Sequence, residues 1–285
     1  MEIPPYLLKE KLLYFLKEDI QFGDLTSNLL ISDDLKAKAV IIAEQDGIIA
    51  GINEAVSICE LAQLKPIQIV KDGDKVSKGS RILEIDGKAK TILTVERTIL
   101  NILMRMSGIA TETNKIIEKV RKINKKIRIA CTRKTTPGFR YFEKRAVMIG
   151  GGDTHRIALD DMVLIKENHL FCIENLENSI KKLKDQISFS KKIELEVENK
   201  NAALKGAKLG VDILMLDNFS PELANETINE LKKLRNNIKI EISGNITPQN
   251  IESYAKLDID IISMGYITHS IKSFNMSLDF IKKSI

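Results

Sequence analysis

Five cations of this chain stand at the ends of short apolar runs or between them. Arg133-Lys134 follows Ile127–Ala130, Lys166 follows Met162–Ile165, and His155-Arg156 lies between the two, just past Gly150-Gly151-Gly152. A surface loop carries scattered lysines at no cost. Cations just beyond the ends of buried-type strands converge instead on one face of a sheet or barrel, and an anionic ligand is the natural reason. Two acids occupy corresponding places further on, Glu196 in the run Ile193–Val197 and Asp217 after Ile213–Leu216. A third kind of residue follows the last two runs: Ser243-Gly244-Asn245 after Ile238–Ile242, and Gly265 after Ile259–Met264. Small residues like these expose backbone N–H groups that, at helix starts, cradle a phosphate. The combination fits a small organic polyanion held by Arg and His. It also fits a sugar phosphate resting on the late loops, with Mg²⁺ near the carboxylates.

The elements that position these residues follow from periodicity. From Lys126 onward six apolar runs alternate with amphipathic segments, Leu176–Asp185, Lys200–Leu209, Pro221–Leu234 and Thr247–Leu257 among them. Strand–helix alternation of this kind predicts a parallel α/β domain, and in a barrel the strand ends gather at the C-terminal rim. One polar residue at a strand end means nothing; six consecutive strands with the same pattern carry weight. Upstream, Tyr6–Lys17 has a helical spacing, residues 18–26 are turn-rich, and short β-like runs between Ala37 and Ile85 are punctuated by Gly73, Gly79 and Gly87. These predict a small mixed domain of hairpins and helices. Thr94–Lys122 is strongly helical, with Arg97 outside its apolar stripe, and Ser107-Gly108 marks a bend or a domain junction. The expected domains are residues 1–107 and 108–270, with a helix over 271–285 packing back on the first.

Composition excludes several classes. At 285 residues, 44% apolar and 29% charged, the chain has the profile of a water-exposed globular protein and no run long enough for a bilayer. The acidic, interrupted N-terminus makes a poor signal peptide, so a cytoplasmic location is expected and no membrane association. Cys59, Cys131 and Cys172 are far apart and include no CxxC pair, which argues against a disulfide framework or zinc. The three histidines lack metal-site spacing. A net charge of +5 with only 5% aromatics and no tryptophan gives little for nucleic-acid binding.

Each candidate also has a plainer use. His155 alone is more often structural, Asp217 can cap a helix, and Gly265 can be a turn glycine. Glu194, Glu196 and Glu198 share one strand face. Three acids cannot all sit in a core unpartnered, so at least one is expected to be solvated, with Glu196 the functional one.

At these residues the chain resembles the quinolinate phosphoribosyltransferase family. The matching pieces, in order, include GDLTS (Gly23–Ser27), ERTILNILMRMSGIAT (Glu96–Thr111), TRKTTPGFR (Thr132–Arg140), GGGDTHR (Gly150–Arg156), LIKENH (Leu164–His169), ELEVE (Glu194–Glu198), LMLDNFSPE (Leu214–Glu222), EISGNIT (Glu241–Thr247) and ISMGYIT (Ile262–Thr268). The resemblance implies an α/β chain, an N-terminal mixed α+β sandwich-like domain followed by an incomplete parallel TIM-like barrel. It implies transfer of phosphoribose from phosphoribosyl pyrophosphate to quinolinate with decarboxylation. Arg133, His155, Arg156 and Lys166 would line the quinolinate carboxylate site, and Arg97 would reach it from a second subunit of a homo-oligomer. Lys134 would serve the quinolinate–pyrophosphate region, with Glu196 and Asp217 at the ribose and Mg²⁺. Lys134, Glu196 and Asp217 would be the catalytic set. Ser243, Gly244, Asn245 and Gly265 would hold the 5′-phosphate. Three rival readings remain: a same-fold molybdenum-transport-associated homologue, an aldolase-type barrel with a Schiff base on Lys166, and a non-catalytic scaffold.

Overall fold

The computed structural model describes residues 3–234 and 237–281. The chain opens with α1 (Pro5–Ile20), which starts on a proline whose fixed φ suits a first helical turn, and α2 (Leu25–Leu30), capped by Asp24 accepting from the Ser27 N–H at 3.0 Å. The turn-rich reading of residues 18–26 did not foresee α2. There follow β1 (Lys36–Ala43), β2 (Gly47–Ile48), α3 (Ile52–Leu61), β3 (Lys65–Gln68), β4 (Lys75–Val76), β5 (Arg81–Lys88) and the long α4 (Ala89–Arg121). Then come β6 (Arg128–Ala130), α5 (Arg140–Ile149), β7 (Val163–Ile165), α6 (Glu167–Phe171), α7 (Leu176–Gln186), β8 (Ile193–Val197) and α8 (Lys200–Lys208). The chain finishes with β9 (Ile213–Asp217), α9 (Pro221–Leu234), β10 (Lys239–Ser243), α10 (Ile251–Ala255), β11 (Ile261–Ser263), α11 (Tyr266–His269) and β12 (Met276–Ile281).

The chain divides into two compact units. Unit 1 takes residues up to 114, 141–151 and those from 271 on; unit 2 takes 115–140 and 152–270. The division falls after Asn114, not at residue 107, and α4 runs unbroken through Ser107-Gly108. Gly108 serves a close approach and not a bend: a Cβ there would lie 2.4 Å from the Lys272 carbonyl.

Unit 1 is built on an antiparallel sheet, β12-β1-β5-β3, with a two-stranded ribbon of β2 and β4. Its last strand corrects the expectation of a helix over 271–285. β12 pairs antiparallel with β1 from Lys38↔Ile281 to Ala43↔Met276. Phe274, Met276, Leu278 and Phe280 alternate with Asn275, Ser277 and Asp279, the two-residue period of a half-buried strand, and Phe274 and Met276 are buried. The free edge of β1 supplies a ladder that an isolated segment lacks. Residues 282–285 lie outside the described residues. Helix α5 brings three charges, Glu143, Lys144 and Arg145, into the interior. Arg145 holds both oxygens of Glu54 (3.1 and 2.9 Å) and Asp72 at 2.7 Å, while Glu143 pairs with Arg105 at 2.7 Å. Breaking such a buried pair from one side costs about 3–5 kcal/mol.

Unit 2 is a six-stranded parallel sheet in the order β6-β11-β10-β9-β8-β7. The first strand pairs with the last and not with the second, so the ring stays open between β6 and β7: an incomplete α/β barrel. Strand β8 is buried along its whole length and β9 over four of five residues, as their apolar runs require. On the open side of β6, Asp153 makes a single parallel bridge with Ala130, through Asp153 N–H to the Ile129 carbonyl at 2.8 Å and Cys131 N–H to the Asp153 carbonyl at 3.0 Å. That bridge delivers His155 and Arg156 to the barrel. Among the described residues no helix is long and apolar enough to cross a membrane.

Candidate active site

The C-terminal ends of the unit 2 strands enclose a cavity of about 470 Å³. Arg133 and Lys134 enter from the end of β6, Lys166 from β7, Glu196 from β8 and Asp217 from β9. Ser243, Gly244 and Asn245 close it after β10, and His155 and Arg156 line it from the segment beside β6. Ten of the twelve residues expected from the sequence thus meet in one place. Arg97 is exposed on α4 in unit 1 and does not line the cavity. Gly265, the residue before α11, lies just behind it: a Cβ there would come within 2.9 Å of Lys134 Cδ and 2.7 Å of His269 Nε2.

The charges are arranged with little solvent to screen them. Arg156 is 8% exposed, Glu196 is 7% exposed, and Arg133 Nε is buried without a hydrogen-bond partner. Burial, and the Arg133 charge beside it, lower the proton affinity of the Arg156 guanidinium. Arginine stays charged regardless, so two repelling cations are held in one polar cavity. Lys166 pairs directly with Glu196. Burial pushes the Glu196 carboxyl up and Asp217 adds to this, while the Lys166 ammonium pulls it down.

Backbone strain concentrates here. Of the five non-glycine residues with positive φ among the described residues, three line the cavity: His155 (49°), Asn218 (57°) and Asn245 (48°). Such conformations cost about 1–3 kcal/mol each and persist where the surroundings dictate them. Asn245 donates to Asn218 Oδ1 at 3.0 Å, and Asn218 donates to Asp217 Oδ2 at 2.6 Å, so one chain of bonds ties the late loop to the acid. Gly244 has φ +89°, and a Cβ there would fall 2.3 Å from Asn218 Oδ1. The loop 243–245 is not a helix start, as the sequence had suggested, since α10 begins only at Ile251. Its shape comes from consecutive left-handed residues.

Two acids that the sequence reading left without a role are fully buried at the barrel centre. Glu194 and Glu241 both approach His155 Nε2, at 3.5 and 3.2 Å, and are 0% exposed. Of Glu194, Glu196 and Glu198, the last, one residue past the end of β8, is the exposed one. Burial opposes a charge on His155, but Glu194 and Glu241 outweigh it and raise its pKa to about 10; burial lifts Glu194 to about 7. The triad therefore keeps an extra proton at neutral pH. The signal was present in the sequence: Ile193-Glu194-Leu195 and Ile240-Glu241-Ile242 each set an acid inside an otherwise apolar strand. Cys131 is packing, buried with its thiol donating to the Thr154 carbonyl at 3.3 Å.

An open α/β barrel with two guanidiniums, two lysine side chains, three carboxyl groups and a glycine loop around one cavity defines an enzyme of anionic small molecules. Comparison with known proteins narrows the class. Residues 24–107 match the family model "quinolinate phosphoribosyl transferase, N-terminal domain", and residues 109–279 match the C-terminal domain of the same family. A relative from Methanothermobacter thermautotrophicus, named probable nicotinate-nucleotide pyrophosphorylase (carboxylating), is 44% identical over 93% of this chain and 95% of its own. One of the same name from Methanocaldococcus jannaschii is 45% identical over 97% and 99%. The crystal structure of NadC from Streptococcus pyogenes superposes with a TM-score of 0.90 at 34% identity, covering 99% and 100%. The chain belongs to the quinolinate phosphoribosyltransferase family.

Proposed function

We propose that this protein joins quinolinate to phosphoribosyl pyrophosphate, with loss of pyrophosphate and carbon dioxide, and so makes nicotinate mononucleotide for NAD biosynthesis. The observation that carries the reading is the meeting of Arg133, Arg156 and Lys166 with Glu196 and Asp217 in one cavity of a chain that matches the family over both halves. Arg133 and Arg156 take the two quinolinate carboxylates, which a planar guanidinium fork holds in a fixed plane. Lys166, anchored by Glu196, adds a directed positive charge. Lys134, exposed at the cavity rim, neutralises the pyrophosphate side. The loop at Ser243–Asn245, with Gly265, receives the 5′-phosphate, because glycine lets the backbone come close.

The pyridine nitrogen attacks the anomeric carbon as the bond to pyrophosphate breaks. Positive charge growing on the ribose is stabilised by Glu196 and Asp217. The product ring is cationic, so the carboxylate beside the nitrogen leaves as carbon dioxide; its bonding pair stays on the ring carbon and takes a proton from solvent. Positioning and electrostatics carry this sequence, with no covalent enzyme intermediate. Glu196 and Asp217 suit Mg²⁺: both are hard oxygen donors, and burial, with Asp217 beside it, disfavours a bare charge on Glu196. Bound there, Mg²⁺ would supply charge neutralisation for the pyrophosphate. Arg97, exposed on α4, is assigned to the site of a second copy in a homo-oligomer.

A Schiff-base barrel is not favoured, since Lys166 Nζ is already engaged by Glu196. Nor is the molybdenum-transport reading, given the names its relatives carry. The test follows pyrophosphate and carbon dioxide together from quinolinate, phosphoribosyl pyrophosphate and Mg²⁺. Equal release, abolished in folded Arg133→Ala and Lys166→Ala, is expected. Pyrophosphate without carbon dioxide would mean a different base, and neither product would remove the function.

A further inference from the structure

We infer that Ser263 is a further substrate-binding residue of the rim cavity, its hydroxyl donating to the quinolinate carboxylate that Arg133 takes. The inference rests on the assignment of that carboxylate to Arg133 and deepens it.

The sequence sets one polar residue inside the last apolar run, Ile261-Ile262-Ser263-Met264. Residues two apart on a strand share a face. Ile261 borders the cavity at the N-terminal mouth of the barrel and Ser263 the cavity at the rim, so both point inward, while Ile262 is buried on the other face. Ser263 is 2% exposed, and its Oγ meets no hydrogen-bond partner in the protein. Other buried hydroxyls of unit 2 have acceptors inside it. Thr227 Oγ1 donates to the Leu223 carbonyl at 2.7 Å, Thr268 Oγ1 to the Lys134 carbonyl at 2.8 Å, and the Tyr254 hydroxyl to the Phe219 carbonyl at 3.0 Å. A buried hydroxyl with no acceptor destabilises the fold in a way that an alanine would avoid. That loss is offset when a ligand brings the acceptor.

The neighbouring strand indicates which ligand group this is. β11 pairs with β6, Ser263 opposite Ala130, and the Met264 N–H donates to the Ala130 carbonyl at 2.9 Å. Three residues past Ala130 stands Arg133, whose buried Nε is also without a partner. Two residues that line one cavity from the ends of adjacent strands thus each carry an unpartnered donor, a guanidinium N–H and a hydroxyl O–H. A carboxylate has two oxygens and accepts from both. The pyridine nitrogen is not the acceptor, because a donor there would occupy the lone pair that attacks the ribose. The 5′-phosphate is assigned to loops beyond the strand ends, whereas Ser263 lies within β11. Inside the protein the rival acceptor is Glu241 Oε1, buried and unpartnered on β10, the other strand beside β11.

The test is calorimetry of quinolinate binding to the wild-type protein, Ser263→Ala and Ser263→Cys, with the kinetic constants and unfolding midpoint of each. Alanine removes the hydroxyl; cysteine keeps its shape with a weak donor. Both variants should bind quinolinate about tenfold or more weakly, the scale of a hydrogen bond to a charged acceptor. KM for phosphoribosyl pyrophosphate should stay within about twofold. The midpoint should be unchanged or higher, since no bond within the protein is lost. Wild-type affinity in both variants overturns the inference. Wild-type affinity in Ser263→Cys alone also overturns it, because volume and not the hydroxyl would then matter. A lower midpoint with unchanged affinity would place the hydroxyl on Glu241, and a raised KM for phosphoribosyl pyrophosphate alone would place it on the phosphate; either result removes the inference. Absence of quinolinate binding to the wild-type protein would remove the carboxylate assignment, and this inference with it. Loss of binding in Arg133→Ala but in neither Ser263 variant would leave that assignment standing and remove the inference alone.

Discussion

The barrel of unit 2 has a cavity at each end, and the two are nearly the same size, about 470 Å³ at the C-terminal rim and about 490 Å³ at the N-terminal mouth. Both are rich in charge, and His155 and Arg156 border both. Neither volume nor composition separates them; pairing and burial do. At the mouth Arg128 meets Asp153 at 3.1 Å and Lys239 meets Asp260 at 3.0 Å, with side chains 73% and 53% exposed on the cationic side. Those charges satisfy each other in water. At the rim Arg133 Nε is buried without a partner, Arg156 is buried next to it, and the glycine loop is strained open. A guanidinium nitrogen left short of a partner where desolvation is costly, as Arg133 Nε is, waits for a ligand. The surplus is what marks the working end.

The largest effect should come from removing that surplus. Arg133→Ala is expected to lower kcat/KM for quinolinate by about a thousandfold or more, the scale of losing a charge-assisted fork in a desolvated site. Its unfolding midpoint should change little or rise, because one of two repelling guanidiniums is gone. A large fall in stability with modest kinetic loss would reverse the comparison, making the rim cations structural. Next in size is the loop. Gly244→Ala places a Cβ 2.3 Å from Asn218 Oδ1 in a conformation alanine resists. KM for phosphoribosyl pyrophosphate should rise about tenfold to a hundredfold, with quinolinate affinity by calorimetry nearly unchanged. Parallel losses for both substrates would show that the loop supports the whole cavity and not a phosphate.

The buried triad gives a smaller, pH-dependent effect. Its groups bind protons more tightly folded than unfolded, to about 10 against an ordinary 6.5 for His155 and to about 7 against 4.5 for Glu194. For raised pKa values the stabilisation is complete below the unfolded value and is lost as pH climbs through the folded one. The unfolding midpoint should therefore fall by a few degrees, on the order of 1–2 kcal/mol, between pH 6.5 and 10. Glu241→Gln should flatten that slope. A slope unchanged in the variant would place the linked protons elsewhere in the chain.

How much of this was legible in the sequence depends on what each residue's neighbours had to be. The strands of the barrel and the polar residue ending each one could be read directly, because a buried parallel strand writes a continuous apolar run and its end is where solvent resumes. The expectation of a helix at β12 fails because Phe274, Leu278 and Ile281 stand at four- and three-residue steps while Phe274, Met276, Leu278 and Phe280 also alternate, and only the partner edge of β1 decides between them. Glu194 and Glu241 were visible as acids in apolar strands, but their partner is one histidine far from both in sequence. Nothing local announces such a meeting. Asn218 was likewise hidden: its left-handed backbone is imposed by the packing of two loops, and asparagine there reads as an ordinary turn residue.

The smallest predicted effect tests the comparison from its other end. Arg128→Ala and Lys239→Ala each remove a cation from the N-terminal mouth, and each partner acid, Asp153 or Asp260, is more than a third exposed. Exposed pairs are worth about 0–1 kcal/mol, because water and salt already screen them. Thermal midpoints should shift by no more than about two degrees, and kcat/KM for both substrates should stay within about twofold. Arg128 is the sharper of the two, since Asp153 also forms the bridge to β6 and accepts from the His155 N–H through its other oxygen. If the ion pair, and not the backbone bridge, holds Asp153 in place, Arg128→Ala will raise KM for quinolinate, while Lys239→Ala will not. The mouth would then belong to the mechanism through one residue. Matching silence from both variants would leave it as a charged surface whose cations are already answered.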